Sequence, residues 1–439
     1  MNPFLLTRKI PISPTAEQEQ VLWDLSEKCR LLYNFALAER QKHWEINRTK
    51  PKARRTYITY RKQQNDLPTI KKQHPEYAWV YSKVLQMVLQ RLDSDFKSFF
   101  ARWKRGDTQA RPPRFKCKNF FTTLCYNQSG FNINLDNKTI PFAHRHPSGV
   151  ELLFTLRWFP PHNERVKQVE LFQDRQLRWF VAIAIEKDVP DFADNGLYQA
   201  IDLGITNLVT AINLHGKFVQ IRNSRPDLYW KNKIREVQSR RDHCKITSRR
   251  WHFYHRKLQK MRRRCACQLL DFQHKISNKV VKNTRANTLI IGDLAVKTMA
   301  QKNHPTSSPQ RDQAIRTLNH SLQNTGFLGR FAEFLTYKAR KVGKRVVRIA
   351  EAYTTKTCCV CGRVRDRKLS ERRIHCDCGN PLDRDQNAAV NIMVRFLSPQ
   401  PPVNGEPLQA FLNGLHRHTA LPQIPQVADS MKAPAVMQG

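Results

Sequence analysis

The sequence predicts an α/β fold joined to a small β-barrel or sandwich, on three observations. Short apolar segments around 201–204, 288–291 and 346–349 alternate with helical periodicity, the pattern of a layered sheet with parallel strands. A helical block running to about Trp103 gives way over 114–189 to alternating or continuously apolar runs that read as strands. Two tight cysteine knuckles between Cys358 and Cys378 mark a small metal-held element within the α/β part.

Length and charge bound the rest. A chain of 439 residues with 40% hydrophobic content suits two to four domains, each with its own core. Lys and Arg number 76 against 36 Asp and Glu, a formal charge of +40, so the expected partner is a polyanion, and nucleic acid is the obvious one. A ribosomal-type or membrane-surface protein is the alternative reading, and it sits poorly with this length, the aromatic content and a metal-type cysteine cluster. No apolar signal core stands in residues 1–10, and the longest apolar runs, such as 181–185, fall far short of a membrane span. A cytoplasmic, nucleoid-associated protein with no membrane partner is expected. Six of the eleven cysteines are scattered and five crowd between Cys358 and Cys378, which suits a metal in a reducing compartment better than disulfides.

Along the chain, a strand-like lead at 5–12 precedes Thr15-Ala-Glu-Gln18, a capping box that opens a helix with Val21, Leu22, Leu25, Cys29, Leu32 and Phe35 on its apolar side. A second amphipathic helix at 82–100 turns Val84, Val88, Leu92 and Phe96 inward and gathers Lys83, Gln86 and Gln90 on another face, either solvated or in contact with DNA. The Pro/Gly-containing link 106–113 leads to strands at 149–159, 166–172 and 179–186. Arg114, Phe115, Lys116, Trp158, Phe159, Arg178, Trp179 and Phe180 there read either as core or as contacts to RNA.

Strands around 201–204, at 208–213 and at 218–221 form a three-stranded meander. The helical stretch 227–283 carries Arg240, Arg241, Arg249, Arg250, Arg256, Lys257, Arg262, Arg263 and Arg264 without balancing acids, which favours a phosphate-facing helix pair. Strands at 288–291 and 346–349, with a helix near 328–342 between them, complete an α/β layer. Beyond Ser398 the chain is rich in Pro, Gln and Gly and is expected to lack order.

Two residue sets carry chemistry. Cys358-x-x-Cys361, followed after fourteen residues by Cys376-x-Cys378-Gly379, places four thiolates for a structural zinc site with no open position for water. The second knuckle is one residue shorter than usual, which leaves Cys359 or His375 as a substitute ligand. Three acids lie where elements begin and end: Asp202 in the first meander strand, Glu351 just past the strand 346–349, and Asp385 ahead of the helical run 387–394. Convergent carboxylates are what Mg²⁺-dependent phosphodiester hydrolysis requires, because hard cations take oxygen ligands. Taken singly, each acid reads as a cap or an ion-pair partner.

Pro11 to Gln18 with Tyr33-Asn34, Arg111-Pro-Pro-Arg-Phe-Lys116, Ile201-Asp-Leu-Gly204, Thr354-Thr-Lys-Thr-Cys358 and Asp383-Arg-Asp-Gln-Asn-Ala-Ala389 resemble, in order, the TnpB (OrfB) proteins encoded by transposons. The resemblance covers about residues 4–396. It implies a wedge β-barrel at 1–12 and 106–195, a helical recognition domain at 13–105, a RuvC-type RNase H-like nuclease domain at 196–354 and 380–397, and a zinc ribbon at 355–379, leaving a disordered tail at 398–439. It further implies an RNA-guided, Mg²⁺-dependent DNA endonuclease, with a guide RNA from the transposon end and double-stranded target DNA bearing a short flanking motif. Asp202 would be the first catalytic aspartate and Asp385 the last. Lys83, Gln86 and Gln90 are candidates for reading the flanking motif, and Arg114, Lys116, Arg249, Arg250, Arg262 and Arg263 for nucleic-acid backbone.

One departure matters. Most of the family places its catalytic glutamate at the end of the strand corresponding to 288–291, where this chain has Gly292-Asp293-Leu294. Gly292 offers no ligand, and alternation along a strand should turn Asp293 away from the cluster. Either Glu351 replaces the missing acid from the neighbouring strand, with Gly292 making room, as in a branch of the family with a rearranged site, or the chain is a guide-directed DNA binder that does not cut. A conventional transposase of the same fold, acting without RNA, is a third reading that the ribbon's position and the N-terminal half argue against.

Overall fold

The structure, a computed structural model, describes residues 4–161, 164–174, 176–293, 328–366, 371–398 and 411–415. The chain divides into two compact units, Asn2–Asp188 and Val189–Gly439.

The first unit opens with strand β1 (Phe4–Ile12) and helix α1 (Ala16–Arg48). The capping box forms as the sequence predicts. The Gln18 N–H donates to the Thr15 hydroxyl at 3.2 Å, and the Thr15 N–H donates to Oε1 of Gln18 at 3.1 Å. Val21, Leu22, Leu25, Cys29 and Leu32 are buried, but Phe35 is 51% exposed, contrary to the expectation for it. Tyr33 and Ala36 take the inward face, and the Tyr33 hydroxyl donates to Asp95 Oδ2 at 2.9 Å, which fixes the rotation of the helix. Short helices α2 (Tyr60–Asn65) and α3 (Leu67–Gln73) lead to α4 (Ser82–Lys104), whose Val84, Val88 and Leu92 are buried and whose Phe96 is half-buried.

Strands β2 (Leu124–Asn127), β3 (Thr139–Phe142), β4 (Leu152–Thr155), β5 (Arg165–Gln173) and β6 (Trp179–Lys187) follow. They do not close into one barrel among the described residues. Instead β1-β6-β5-β2 forms a four-stranded antiparallel sheet and β3-β4 a separate hairpin. Helices and strands share one core, in which Leu22, Leu32 and Leu89 join Leu124, Val169 and Ile183. The expected division at 105/106 between a helical domain and a barrel is therefore not a division of the core. Trp179 is buried in it, Phe180 is buried on the opposite face of β6 against Phe172 and Lys9, and Phe115 is 53% exposed.

The second unit is built on a five-stranded sheet of order β11-β10-β7-β8-β9. The meander β7 (Tyr198–Asp202), β8 (Asn207–Asn213) and β9 (Phe218–Arg222) is antiparallel. Helices α5 (Pro226–Asp242) and α6 (Arg249–Asn283) form the expected pair, split at 243–248. Then β10 (Thr288–Asp293) adds parallel to β7, and after α7 (Leu328–Lys341), β11 (Arg345–Ala350) adds parallel to β10. Helix α8 (Arg384–Leu397) packs on the other face of this sheet.

Alternation sorts the two faces of this sheet. Ile201, Leu289 and Ile291 pack with Val280, Val281, Phe331 and Leu335 of α6 and α7. Ala200, Ile212 and Ile290 pack with Ala389, Val390 and Met393 of α8. Among the described residues, no helix is long and apolar enough to cross a membrane.

Part of the tail departs from the expected disorder. Residues 411–415 form a helical turn, and Phe411 and Leu415 are fully buried in the α8-side core. Phe411→Ala should destabilise this unit by about 3–5 kcal/mol, the usual result of emptying a buried aromatic site. Urea denaturation checks it, and an unchanged midpoint would mean that the turn does not seal the core.

Candidate active site and metal centre

The three acids meet at one edge of the α8-side face. In the parallel ladder Ile291 lies beside Ile201 and Gly292 beside Ile349, so the ends of β7, β10 and β11 are level. Asp202 ends β7 and is buried, paired across the ladder with Thr210 of β8. Asp385 lies in the first turn of α8 and is also buried. Asp383 caps that helix, its carboxylate accepting the Gln386 N–H at 2.7 Å, while Gln220 of β9 donates to its other oxygen at 2.8 Å.

Glu351 comes one residue after β11, and its carboxyl lies over Gly292. A Cβ at position 292 would stand 2.5 Å from Glu351 Oε2 and 2.6 Å from its Cδ, so the Glu351 carboxyl can occupy this place only while position 292 carries no side chain. The room expected at Gly292 is there, and Glu351 fills it. Asp293 turns away, as alternation requires: it is exposed and lies 3.7 Å from Arg348. Gly204 has a comparable reason, because a Cβ there would come within 2.7 Å of the Asn207 carbonyl.

Burial pushes the Asp202 carboxyl well above the usual carboxylate range, and the charges of Glu351 and Asp385 push it the same way. Burial, with Asp293 adding, raises Glu351 to about 7. Oε2 of Glu351 is buried without a hydrogen-bond partner among the described residues. Buried carboxylates whose charges act on Asp202, one of them with an unpartnered oxygen, are the kind of donor set a divalent cation relieves, although among the described residues their oxygens do not close into a cluster as tight as the cysteine sulfurs do.

Neighbouring groups hold Asp385. Asn207 Nδ2 donates to its Oδ2 at 3.1 Å, and Arg384 and Arg372 approach its Oδ1 at 3.9 and 4.0 Å. The Arg372 guanidinium also donates to the Thr206 hydroxyl at 2.6 Å. Asn207 and Arg372 escaped sequence reading because an isolated Asn or Arg in a loop or at a strand start carries no periodic signal.

The sulfurs of Cys358, Cys361, Cys376 and Cys378 lie within 4.8 Å of one another, with Cys358–Cys378 and Cys361–Cys376 each at 3.5 Å. A tetrahedral site with metal–sulfur bonds near 2.3 Å needs sulfurs about 3.8 Å apart, so the quartet fits a tetrahedral metal. The short second knuckle needs no substitute. Cys359 is buried in the core and its N–H donates to Asn387 Oδ1 at 2.9 Å, while His375 is exposed and outside the quartet. Asn380 Nδ2 donates to Cys358 Sγ at 3.3 Å, a bond that supports a thiolate.

The nucleic-acid candidates are scattered in kind. Lys83 and Gln90 are exposed and Gln86 is half-buried, on one face of α4. Arg114 is exposed, but Lys116 is half-buried, with its ammonium 4.0 Å from the centre of the Tyr33 ring and its pKa lowered by burial to about 8. Asn34 brackets the Lys116 backbone, accepting its N–H at 2.8 Å and donating to its carbonyl at 2.9 Å. Lys116 thus first serves to tie the 111–116 segment to α1. Arg249, Arg250, Arg262 and Arg263 are exposed on α6, with Arg262 donating to Gln238 of α5 at 2.9 Å.

Comparison with known proteins agrees with this architecture. A family model described as "Cas12f1-like, TNB domain" matches residues 329–392, the OrfB_IS605 model, described as "Probable transposase", matches 182–303, and its companion "Helix-turn-helix domain" model matches 1–49. In this chain the described part of that last stretch is one strand and one helix. A protein of Streptomyces pristinaespiralis named "Putative RNA-guided DNA endonuclease" is 28% identical over 88% of each chain. InsQ of Escherichia coli K12, under the same description, is 27% identical over 88% of this chain and 90% of its own. The mimivirus TnpB-like protein L770 is 23% identical over 90% of this chain and 74% of its own. Among solved structures, the Cas12f1–sgRNA–target DNA complex matches with a TM-score of 0.56 at 13% identity, covering 89% of this chain and 99% of that one, so the fold is shared. With a RuvC-like layer, a cysteine quartet ahead of the last aspartate and these matches along its length, the chain belongs to the TnpB family of transposon-encoded proteins.

Proposed function

We propose that this chain is an RNA-guided DNA endonuclease whose acid site has been rearranged, with Asp202, Glu351 and Asp385 holding Mg²⁺. The observation that carries the proposal is the Glu351 carboxyl standing over Gly292 with a buried, unpartnered oxygen, at the sheet end where Asp202 closes its own strand. Bound divalent cations in such a site stabilise the attacking and leaving oxygens of an in-line phosphodiester displacement. Asp202 and Glu351, held from water by the sheet, supply the negative charge that retains them, and Asn207 keeps the Asp385 carboxylate turned inward. The cysteine quartet holds zinc as a structural ion, since four protein sulfurs leave no open position.

Sequence selection falls to pairing between guide and target strand, while the protein contacts backbone and a short flanking motif. Arg249, Arg250, Arg262 and Arg263 on α6, with Arg114, are the proposed backbone contacts, and Lys83, Gln86 and Gln90 the proposed motif readers. Lys116 supports the fold of the Arg114 segment and reaches nucleic acid at its edge.

Purification from cells carrying the transposon end, followed by sequencing of the bound RNA and cleavage of a matched duplex in Mg²⁺, tests the whole reading. One discrete RNA and guided cutting are expected. A discrete RNA with binding and no cutting would leave the inactive, repressor-like reading, and no RNA would leave the transposase.

A further inference from the structure

Glu351 lies beyond the last residue of β11, so its backbone needs a support other than the strand ladder. Thr354 provides one: its N–H donates to the Glu351 carbonyl at 3.1 Å and its hydroxyl to the same oxygen at 3.0 Å. Thr354 is itself buried, and its own carbonyl accepts from Asn391 Nδ2 at 2.8 Å and Asn387 Nδ2 at 3.3 Å. The Thr357 carbonyl accepts from the same two amides, at 2.8 and 2.7 Å.

The bracket reaches the cysteine site as well. Oδ1 of Asn387 accepts from the Cys359 N–H at 2.9 Å and from Asn380 Nδ2 at 3.1 Å, and the same Asn380 amide reaches Cys358 Sγ. Residues 351–359 are thus clamped onto α8, the helix that carries Asp385. All these groups are buried or nearly so, where an unmade hydrogen bond costs most.

We propose that Thr354, Asn387 and Asn391 are positioning residues that set the place of Glu351 relative to Asp385 and couple it to the metal-held cysteine site. The proposal rests on the reading of Glu351 as a metal-holding acid. A carboxylate at a strand end is held by the ladder itself, whereas one on the turn after the strand is only as fixed as the bonds beneath that turn. Groups that orient the ligands of a metal are worth about 10–100-fold in its affinity.

The test uses the full chain with its bound RNA and Mn²⁺ as the probe, measured by calorimetry, with zinc content and the metal dependence of cleavage alongside. Thr354→Val and Asn391→Ala are each expected to weaken Mn²⁺ binding about tenfold or more and to raise the metal concentration for half-maximal cutting by the same factor. Cleavage should recover at saturating metal, zinc should stay at its wild-type content, and Thr354→Ser, which keeps the hydroxyl, should restore affinity. Thr354→Val removes one hydrogen bond and no side-chain contact to the cysteine site, so it decides the matter if Asn391→Ala folds poorly. Wild-type Mn²⁺ affinity in Thr354→Val overturns the bracing role. Glu351→Gln in parallel separates the two claims: if it binds Mn²⁺ as wild type does, the assignment of Glu351 itself fails, and if it alone loses binding, only the brace fails.

Discussion

Glu351→Gln is expected to reduce guided, Mg²⁺-dependent DNA cleavage by at least roughly a hundredfold, the scale on which removal of one group facing the developing charge is felt, while leaving RNA binding unchanged. The amide keeps the volume over Gly292 and removes the charge, so any loss reads as chemistry rather than packing. Gly292→Ala is the complementary probe: its Cβ would stand 2.5 Å from Glu351 Oε2, so the carboxyl must move. Cleavage should fall in that variant too, although no acid has been removed. Single-turnover cleavage with saturating protein and guide measures both, and wild-type cutting by Glu351→Gln would rule out the rearranged site.

The second large effect concerns the cysteine quartet. The purified protein should carry one zinc per chain, released as the thiols are titrated with a mercurial. Structural zinc is worth about 10–16 kcal/mol in small zinc-folded peptides at neutral pH, so Cys361→Ser should open the element between Cys358 and Cys378 to protease. The loss should not stop there, because the Cys358–Cys359 stretch is bonded through Asn387 to the turn beneath Glu351, and cleavage should fail with it. Protein purified without zinc, with the same segment still resistant to protease, would refute the assignment.

Much of the α/β unit was legible because buried parallel strands read as apolar runs, but α8 begins three residues before the expected run 387–394, so Asp385 lies inside its first turn rather than ahead of it. Alternation along a strand decides which side chains share a face, and it turned Asp293 outward, whereas Glu351, on the turn beyond β11, was assigned its role from the family resemblance and not from strand periodicity. The N-terminal unit was harder. Its four-residue strands β2 and β3 are too short to show a period, so neither was anticipated, and the barrel or sandwich expected from the longer runs is seen among the described residues as a four-stranded sheet and a separate hairpin. Phe35 was misplaced because apolarity alone does not reveal that Tyr33, with its bond to Asp95, sets the helix rotation. Asn387 belongs to the motif on which the resemblance rests and Asn391 lies just beyond it, yet both hold carbonyls of a segment thirty or more residues away, which spacing cannot disclose.

Gly292 also limits how this site can be altered. Glu351 in its present place and a side chain at 292 would occupy the same few ångströms, so any residue larger than glycine at 292 requires the end of the Glu351 side chain to swing aside. The two positions therefore cannot be varied independently, and a substitution at 292 reads out the rotamer of Glu351 as much as its own side chain.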